Sequence, residues 1–371
     1  MLNKIINLIN YFRVTRNNLF RELKFFHEPA PKNISQIENY KFKSEIVNEI
    51  LKFNTNCNFF YKNLSINQEL KIEGLWKNHI LKSKKEQIDA YSRKNIDEIM
   101  ILHESMFYNC LLQGFWNYSH FKNLNFNYSA ILFFLKDLNL YKTIFRNFDD
   151  LPSNNQIKKW GYKYKNDKIH FIDISSMMQK NLILNALNLL NNKRKHNILE
   201  IGSGFGSLAE RLFEENRINT MIMLDIPSSL TIAFYYLSSK FGLDKVKILN
   251  SPSDIQKYYD LDESKKILLI PTCYYDLIKN IKNIDLLCNF ASFSEMDFNT
   301  IKFYLENLSK EIKIIVSSNS NLPVNKLNHQ EVISDRFPIP KYFDLVFSTV
   351  QIPFFSNWRY KTCVWFNNSK N

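Results

Sequence analysis

From Asn197 onward, short apolar runs alternate with amphipathic stretches. The runs are Asn197–Ile201, Thr220–Asp225, Lys266–Ile270, Asp285–Phe290, Ile312–Val316, Phe343–Val350 and Thr362–Phe366. Apolar runs this short, separated by helical spacing, predict strand–helix units and a mostly parallel sheet. Only Gln351–Tyr360 joins the last two runs, and it carries no helical pattern, so these two are expected to pair antiparallel. The interval from Asp225 to Ile270 is long, and Val246–Leu249 competes for the third strand. Lys266–Ile270 is preferred here, with Val246–Leu249 as the alternative.

The first part of the chain has a different texture. Apolar residues recur at helical spacing over Met1–Phe26, with Lys4, Arg13, Arg16, Arg21 and Lys24 interleaved, and Pro29 and Pro31 end the segment. Further helical patterns cover Ser44–Phe53, Lys85–Leu112 and Tyr128–Phe145, and hairpin turn signals are nearly absent. Asn154–Asp173 reads as an irregular connection, and Ser175–Leu190 as one more helix. The expected division is therefore a mainly helical substrate or assembly domain at 1–153, a connection and leading helix at 154–195, and an α/β domain at 196–371.

Charge divides the chain in the same place. The net charge of the 371 residues is +13, and all of the excess lies in Met1–Lys195, with 30 basic and 17 acidic residues against 19 of each in the remainder. Such asymmetry suits an anionic partner: nucleic acid, a membrane surface or a phosphorylated substrate. Part of it follows from the abundance of Asn, Lys, Ile and Phe, whose codons are AT-rich. The five cysteines are scattered, which argues against both a disulfide framework and a Cys-x-x-Cys site. No signal peptide and no apolar run of membrane-spanning length is present, so a cytoplasmic protein is expected. The basic Met1–Phe26 segment suits peripheral contact with an anionic membrane, or a helix packed on the domain with a solvated basic face.

Three of the seven glycines fall in Glu200-Ile201-Gly202-Ser203-Gly204-Phe205-Gly206, directly after the first apolar run and before a helical pattern. Glycines are needed where a strand turns sharply into a helix and backbone must approach a ligand. Asp225 closes the next run, where an acid accepts hydrogen bonds from ribose hydroxyls. A nicotinamide or flavin site is the competing reading. Its usual fingerprint is G-x-G-x-x-G/A, whereas the spacing here is G-x-G-x-G behind Glu200. That carboxylate repels a pyrophosphate and suits a cationic amino-acid end, which favours S-adenosylmethionine.

These residues resemble motif I of class I S-adenosylmethionine-dependent methyltransferases (EC 2.1.1 type). Leu199–Ala209, Leu224-Asp225-Ile226-Pro227, Tyr235-Tyr236-Leu237-Ser238 and Ser292-Phe293-Ser294-Glu295-Met296 together are more narrowly similar to a bacterial sugar O-methyltransferase family. The similarity covers roughly Gly161–Phe366, with Ser203 and Ser207 standing where glycine is more frequent. It implies a Rossmann-like seven-stranded methyltransferase sheet with an antiparallel last strand, preceded by a helical domain. It also implies that Gly202, Gly204 and Gly206 surround the methionine end, that Asp225 holds the ribose and that Ile226 packs on adenine. Glu200, Ser203, Cys273 (in the segment expected at the adenine edge), Asn289 and Ser294 complete the candidate cofactor contacts.

Methyl transfer to a sugar hydroxyl calls for alignment and help with the proton. Glu295, after the fourth run, is the first candidate base or substrate anchor, with a helix-capping acid as the plain alternative. His120, in the aromatic stretch Gly114–His120, and His329 are the others, and His103 is a further lone histidine. Trp116, Tyr118, Trp358 and Tyr360 are candidates for stacking on a sugar face. No metal-ligand spacing is present. The expected partner is a sugar or glycan, nucleotide-linked, lipid-linked or on a surface glycan. A nucleic-acid methyltransferase using the basic half, and a non-catalytic cofactor-binding scaffold, are the alternatives. Asn289-Phe290-Ala291-Ser292-Phe293 lacks the paired prolines associated with methylation of base amino groups.

Overall fold

The computed structural model describes residues 23–63, 85–108, 160–164, 167–191, 194–254, 265–274, 283–308, 312–321, 333–349 and 360–368. Strand β1 (Leu23–His27) is followed by helices α1 (Tyr40–Asn63), α2 (Lys85–Arg93) and α3 (Ile96–Glu104). Next come β2 (Trp160–Tyr164), β3 (Asp167–Ile169) and α4 (Phe171–Leu187). The remainder runs β4 (His196–Ile201), α5 (Ser207–Phe213), β5 (Ile218–Asp225), α6 (Pro227–Phe241), β6 (Val246–Ile248), β7 (Lys266–Pro271), β8 (Leu286–Phe290), α7 (Phe298–Leu308), β9 (Ile314–Ser320), β10 (Phe343–Thr349) and β11 (Tyr360–Asn367).

The main sheet has the order β10-β11-β9-β8-β4-β5-β7-β6. Its six strands from β9 to β6 are parallel, and β11 runs antiparallel to both β9 and β10. This is the expected α/β Rossmann-like arrangement with a reversed last strand. Among the described residues it has eight strands rather than seven, because Val246–Ile248 and Lys266–Pro271 are both strands. The two segments expected to compete are instead neighbours in the sheet, with β7 next to β5 and the three-residue β6 on its outer side. Every residue of β7 and β8 is buried, as a parallel strand covered on both faces requires. The order reverses direction at β4, which has β5 on one side and β8 on the other. Ligands of open α/β sheets bind outside the carboxyl ends of the strands at such a point.

The helical expectations need several corrections. Leu23–His27 is not helix but strand, pairing antiparallel with β2, which itself pairs with β3. The irregular connection expected at Asn154–Asp173 therefore contains a hairpin. Its partner strand lies far away in sequence, out of reach of local periodicity. The rest of Met1–Phe26, and the helix expected at Tyr128–Phe145, lie outside the described residues. Ser44–Phe53 extends in both directions to α1. Lys85–Leu112 divides into α2 and α3 because Lys94 takes a left-handed φ of 54° and Asn95 caps α3, accepting from the Glu98 amide at 3.2 Å. Helix α4 starts earlier than Ser175 because His170 and Asp173 form a capping box at its head.

Helices α1, α2 and α3 lie against α6. A buried ion pair joins Lys43 and Glu104 at 2.7 Å, and the Tyr235 hydroxyl donates to the same Glu104 carboxylate at 2.7 Å. The His103 ring stacks on Tyr235 and lies 2.8 Å from the Tyr91 hydroxyl. His103-Glu104 thus joins the helices to α6, well inside the protein. Among the described residues, no helix is long and apolar enough to cross a membrane.

Candidate functional site

Gly202, Gly204 and Gly206 leave β4 with φ of 70°, 58° and 90°, in the left-handed region that favours glycine. The turn is tied at both ends. Gly202 donates to the Leu224 carbonyl at 2.8 Å, and Gly206 donates to the Ser203 carbonyl at 3.1 Å before α5 begins. At the end of β5, Asp225 accepts from the Gly204 amide at 2.8 Å and from the Ile226 amide at 2.6 Å. One carboxylate thus couples the glycine turn to the head of α6.

Two buried polar atoms at this turn find no hydrogen-bond partner among the described residues: Glu200 Oε2 and Ser203 Oγ. Burial, and then the neighbouring Asp225 carboxylate, push the Glu200 carboxyl up to about 8. A buried acid left unpaired is costly unless a ligand completes it. Unfilled acceptor capacity at Glu200 and Ser203, next in sequence to a tight glycine turn, fits a ligand that brings N–H donors. The residues present therefore fit the amino-acid end of S-adenosylmethionine, and Asp225 and the half-buried Ile226 adjoin them at the head of α6.

The other predicted cofactor contacts fall at the same edge of the sheet but differ in character. Asn289 is fully buried, and its amide is used within the protein. It donates to the Ile201 carbonyl at 2.8 Å, and its oxygen accepts from the Phe293 amide at 3.0 Å and from Asn319 Nδ2 at 2.8 Å. Ser294 Oγ lies 3.2 Å from Asn319 Oδ1 and accepts from the Ser320 amide at 3.2 Å. Asn289 and Ser294 thus hold the turn after β8 against β4 and β9. Cys273 is buried in a short 3-10 turn after β7, with its sulfur 4.0 Å from that of Cys57 on α1.

Glu295 ends the 3-10 turn Phe293–Glu295 and is half-buried. Burial, and then the charge of the Glu295 carboxylate, push the Tyr360 hydroxyl above its ordinary value. His120, His329, Trp116, Tyr118 and Trp358 lie outside the described residues. Among the described residues, no group of three or more His, Cys, Asp or Glu is arranged to hold a metal ion.

Three residues that shape this edge were not singled out in the sequence for that role. Ser292 lies directly under Gly202 and donates to the Ile201 carbonyl at 3.1 Å. Its place in the Ser-Phe-Ser-Glu-Met segment was the available signal. Asn319 organises Ser294, while Phe107 packs on Phe205 inside the glycine turn. No periodic signal marks either residue.

No protein-family model and no curated protein matches the chain. Solved structures do match. TrmK of M. capricolum, in complex with S-adenosyl-homocysteine, aligns at 17% identity and TM-score 0.32, over 49% of this chain and 67% of that one. The magnesium protoporphyrin IX methyltransferase ChlM of Synechocystis PCC 6803, with bound SAH, aligns at 10% identity and TM-score 0.34, over 55% and 90%. The pyocyanin biosynthetic protein PhzM aligns at 12% identity and TM-score 0.31, over 53% and 56%. Likenesses of this size set no constraint on activity or substrate.

Proposed function

We propose that this chain is an S-adenosylmethionine-dependent O-methyltransferase acting on a hydroxyl of a sugar. The observation that carries the cofactor reading is the buried Glu200 Oε2, without a hydrogen-bond partner among the described residues, next to a glycine turn whose Gly204 amide donates to Asp225. When bound, S-adenosylmethionine supplies a methyl group already activated by its sulfonium. The chain's residues then have separable tasks. Glu200 and Ser203 complete their hydrogen bonds on the cationic end, Asp225 takes the ribose hydroxyls, and the Asn289–Ser292–Ser294 turn keeps the next loop in register with the donor. Glu295, at the carboxyl edge beside Tyr360, receives or orients the proton of the acceptor hydroxyl.

The sugar assignment is supported by the Asp-Ile-Pro, Tyr-Tyr-Leu-Ser and Ser-Phe-Ser-Glu-Met resemblance. The positive charge of the N-terminal half suits a phosphorylated or lipid-linked form of that sugar.

Isothermal titration with S-adenosylmethionine or S-adenosylhomocysteine tests the cofactor reading. Wild-type protein is expected to bind, and Asp225→Ala to weaken binding roughly 100-fold, since the charge-assisted ribose bonds and the Gly204 anchor are lost together. Absence of binding, or wild-type affinity in Asp225→Ala, rejects it. Transfer of labelled methyl to nucleotide-sugar and glycan panels, run beside RNA and DNA panels, tests the acceptor. Label confined to nucleic acid rejects the sugar.

A further inference from the structure

We infer that the N-terminal helices form part of the frame of the cofactor site, with Phe107 as a positioning residue for the glycine turn, so that cofactor loading and the order of residues 96–108 are coupled. This rests on the cofactor reading above and adds to it a role for a part of the chain outside the α/β unit.

The contacts between the helices and the α/β unit include several at the carboxyl edge of the sheet. Phe205 stands between left-handed Gly204 and Gly206 and is buried. Its ring meets Phe107 edge-on at 5.5 Å and Tyr236 edge-on at 5.1 Å. Tyr236 is fixed by its hydroxyl, which donates to Glu210 at 2.7 Å, and Phe107 also meets the His170 ring at 5.2 Å. Glycines contribute no side chain to hold a turn, so the anchored ring of Phe205 gives this one much of its fixed position. Phe107, just beyond α3, closes that aromatic cluster from the helical side.

Two further links fall on neighbouring strand ends. Gln87 of α2 is buried, with its amide nitrogen 2.9 Å from Thr231 Oγ1 and 3.2 Å from the Ser228 carbonyl, in the opening of the helix that follows Asp225. On α1, Asn56 donates to the Asn250 carbonyl at 3.1 Å beyond β6, and Cys57 faces Cys273 beyond β7. The helices thus touch the loops after β4, β5, β6 and β7, the same stretch of edge that Glu200 and Asp225 occupy. A ligand that needs the glycine turn in one conformation must favour the packing that holds it there, and the coupling is reciprocal.

The test uses the full chain with S-adenosylhomocysteine as probe, followed by hydrogen exchange and titration. In wild type, the ligand is expected to slow amide exchange in peptides covering 96–108. Phe107→Ala is expected to weaken binding at least tenfold and to abolish that slowing. Phe107→Leu, which keeps apolar volume but not the edge-on ring contact, is expected to fall between. If Phe107→Ala does not fold by circular dichroism, wild-type exchange and Phe107→Leu decide the matter. Wild-type protein that binds without slowed exchange in 96–108, or folded Phe107 variants that bind with wild-type affinity, would overturn the inference alone. Wild-type protein that does not bind at all overturns the cofactor reading and this inference with it.

Discussion

Glu200→Gln is expected to make the empty protein more stable and its ligand affinity poorer. The Glu200 carboxyl is buried and pushed up to about 8 from its ordinary 4.5, by burial first and Asp225 second. Below the ordinary value, folded and unfolded chains both hold the proton, and the group contributes no pH dependence. Between the two values the unfolded chain releases its proton while the folded chain keeps it, so stability falls as pH rises. Above about 8 both are ionised and the full cost is present, on the order of a few kcal/mol. Glutamine carries no such cost. Its stabilising effect should therefore be near zero at about pH 4 and grow to its maximum above about pH 8. Binding should respond in the opposite sense. A cation beside Glu200 favours the ionised form, so wild-type affinity for S-adenosylhomocysteine should weaken as pH falls below about 8, by at most about tenfold per unit. Among the described residues, the titratable groups whose charge couples to this carboxyl are Asp225 and Cys288. Glutamine should flatten the profile and weaken binding most above about pH 8, with the deficit shrinking as pH falls and wild-type Glu200 takes up its proton. Thermal melts and titrations across this range check both halves. A Gln variant that gains no stability at alkaline pH, or that keeps wild-type affinity there, would contradict the assignment.

Much of the α/β fold is legible in the sequence, for a physical reason. Parallel strands covered on both faces must be apolar throughout, so β7 and β8 stand out as uninterrupted runs. The Glu200, Gly202, Gly204, Gly206 and Asp225 set is equally legible, because its spacing follows from one strand–turn–helix–strand unit. What escapes is non-local or compensated. The β1–β2 pairing joins residues whose partners lie more than a hundred positions apart, and it leaves no local period. Strand β9 continues past its apolar run into Ser317, Ser318, Asn319 and Ser320, all buried. These polar residues are tolerated inside because Thr362 donates to Ser318 at 2.8 Å and Asn319 donates to Asn289 and Ser317. The break between α2 and α3 does leave a local mark, since Asn95 precedes Asp97 and Glu98 in the manner of a helix start.

The glycine turn and the loop after β8 are interlocked, and Gly202→Ala should show how tightly. A Cβ at Gly202 would lie 1.9 Å from Ser292 Oγ and 2.4 Å from Ser292 Cβ, distances that force one segment to move. The φ of 70° adds strain of its own, about 1 kcal/mol for a non-glycine residue. Displacing Ser292 also breaks its bond to the Ile201 carbonyl and disturbs Asn289, the residue that holds the start of the next turn. Together these should cost roughly 3–4 kcal/mol of stability, at the upper end for a single substitution. Binding of S-adenosylhomocysteine should be lost, because the turn and the Asn289–Ser294 segment shift together. The double variant Gly202→Ala/Ser292→Gly separates the contributions. It restores the space but not the backbone strain or the hydrogen bonds, so it should recover part of the lost stability and show a favourable coupling energy in a double-mutant cycle. Additive behaviour of the two substitutions, or a Gly202→Ala variant as stable as wild type, would show that the turn does not rest on Ser292.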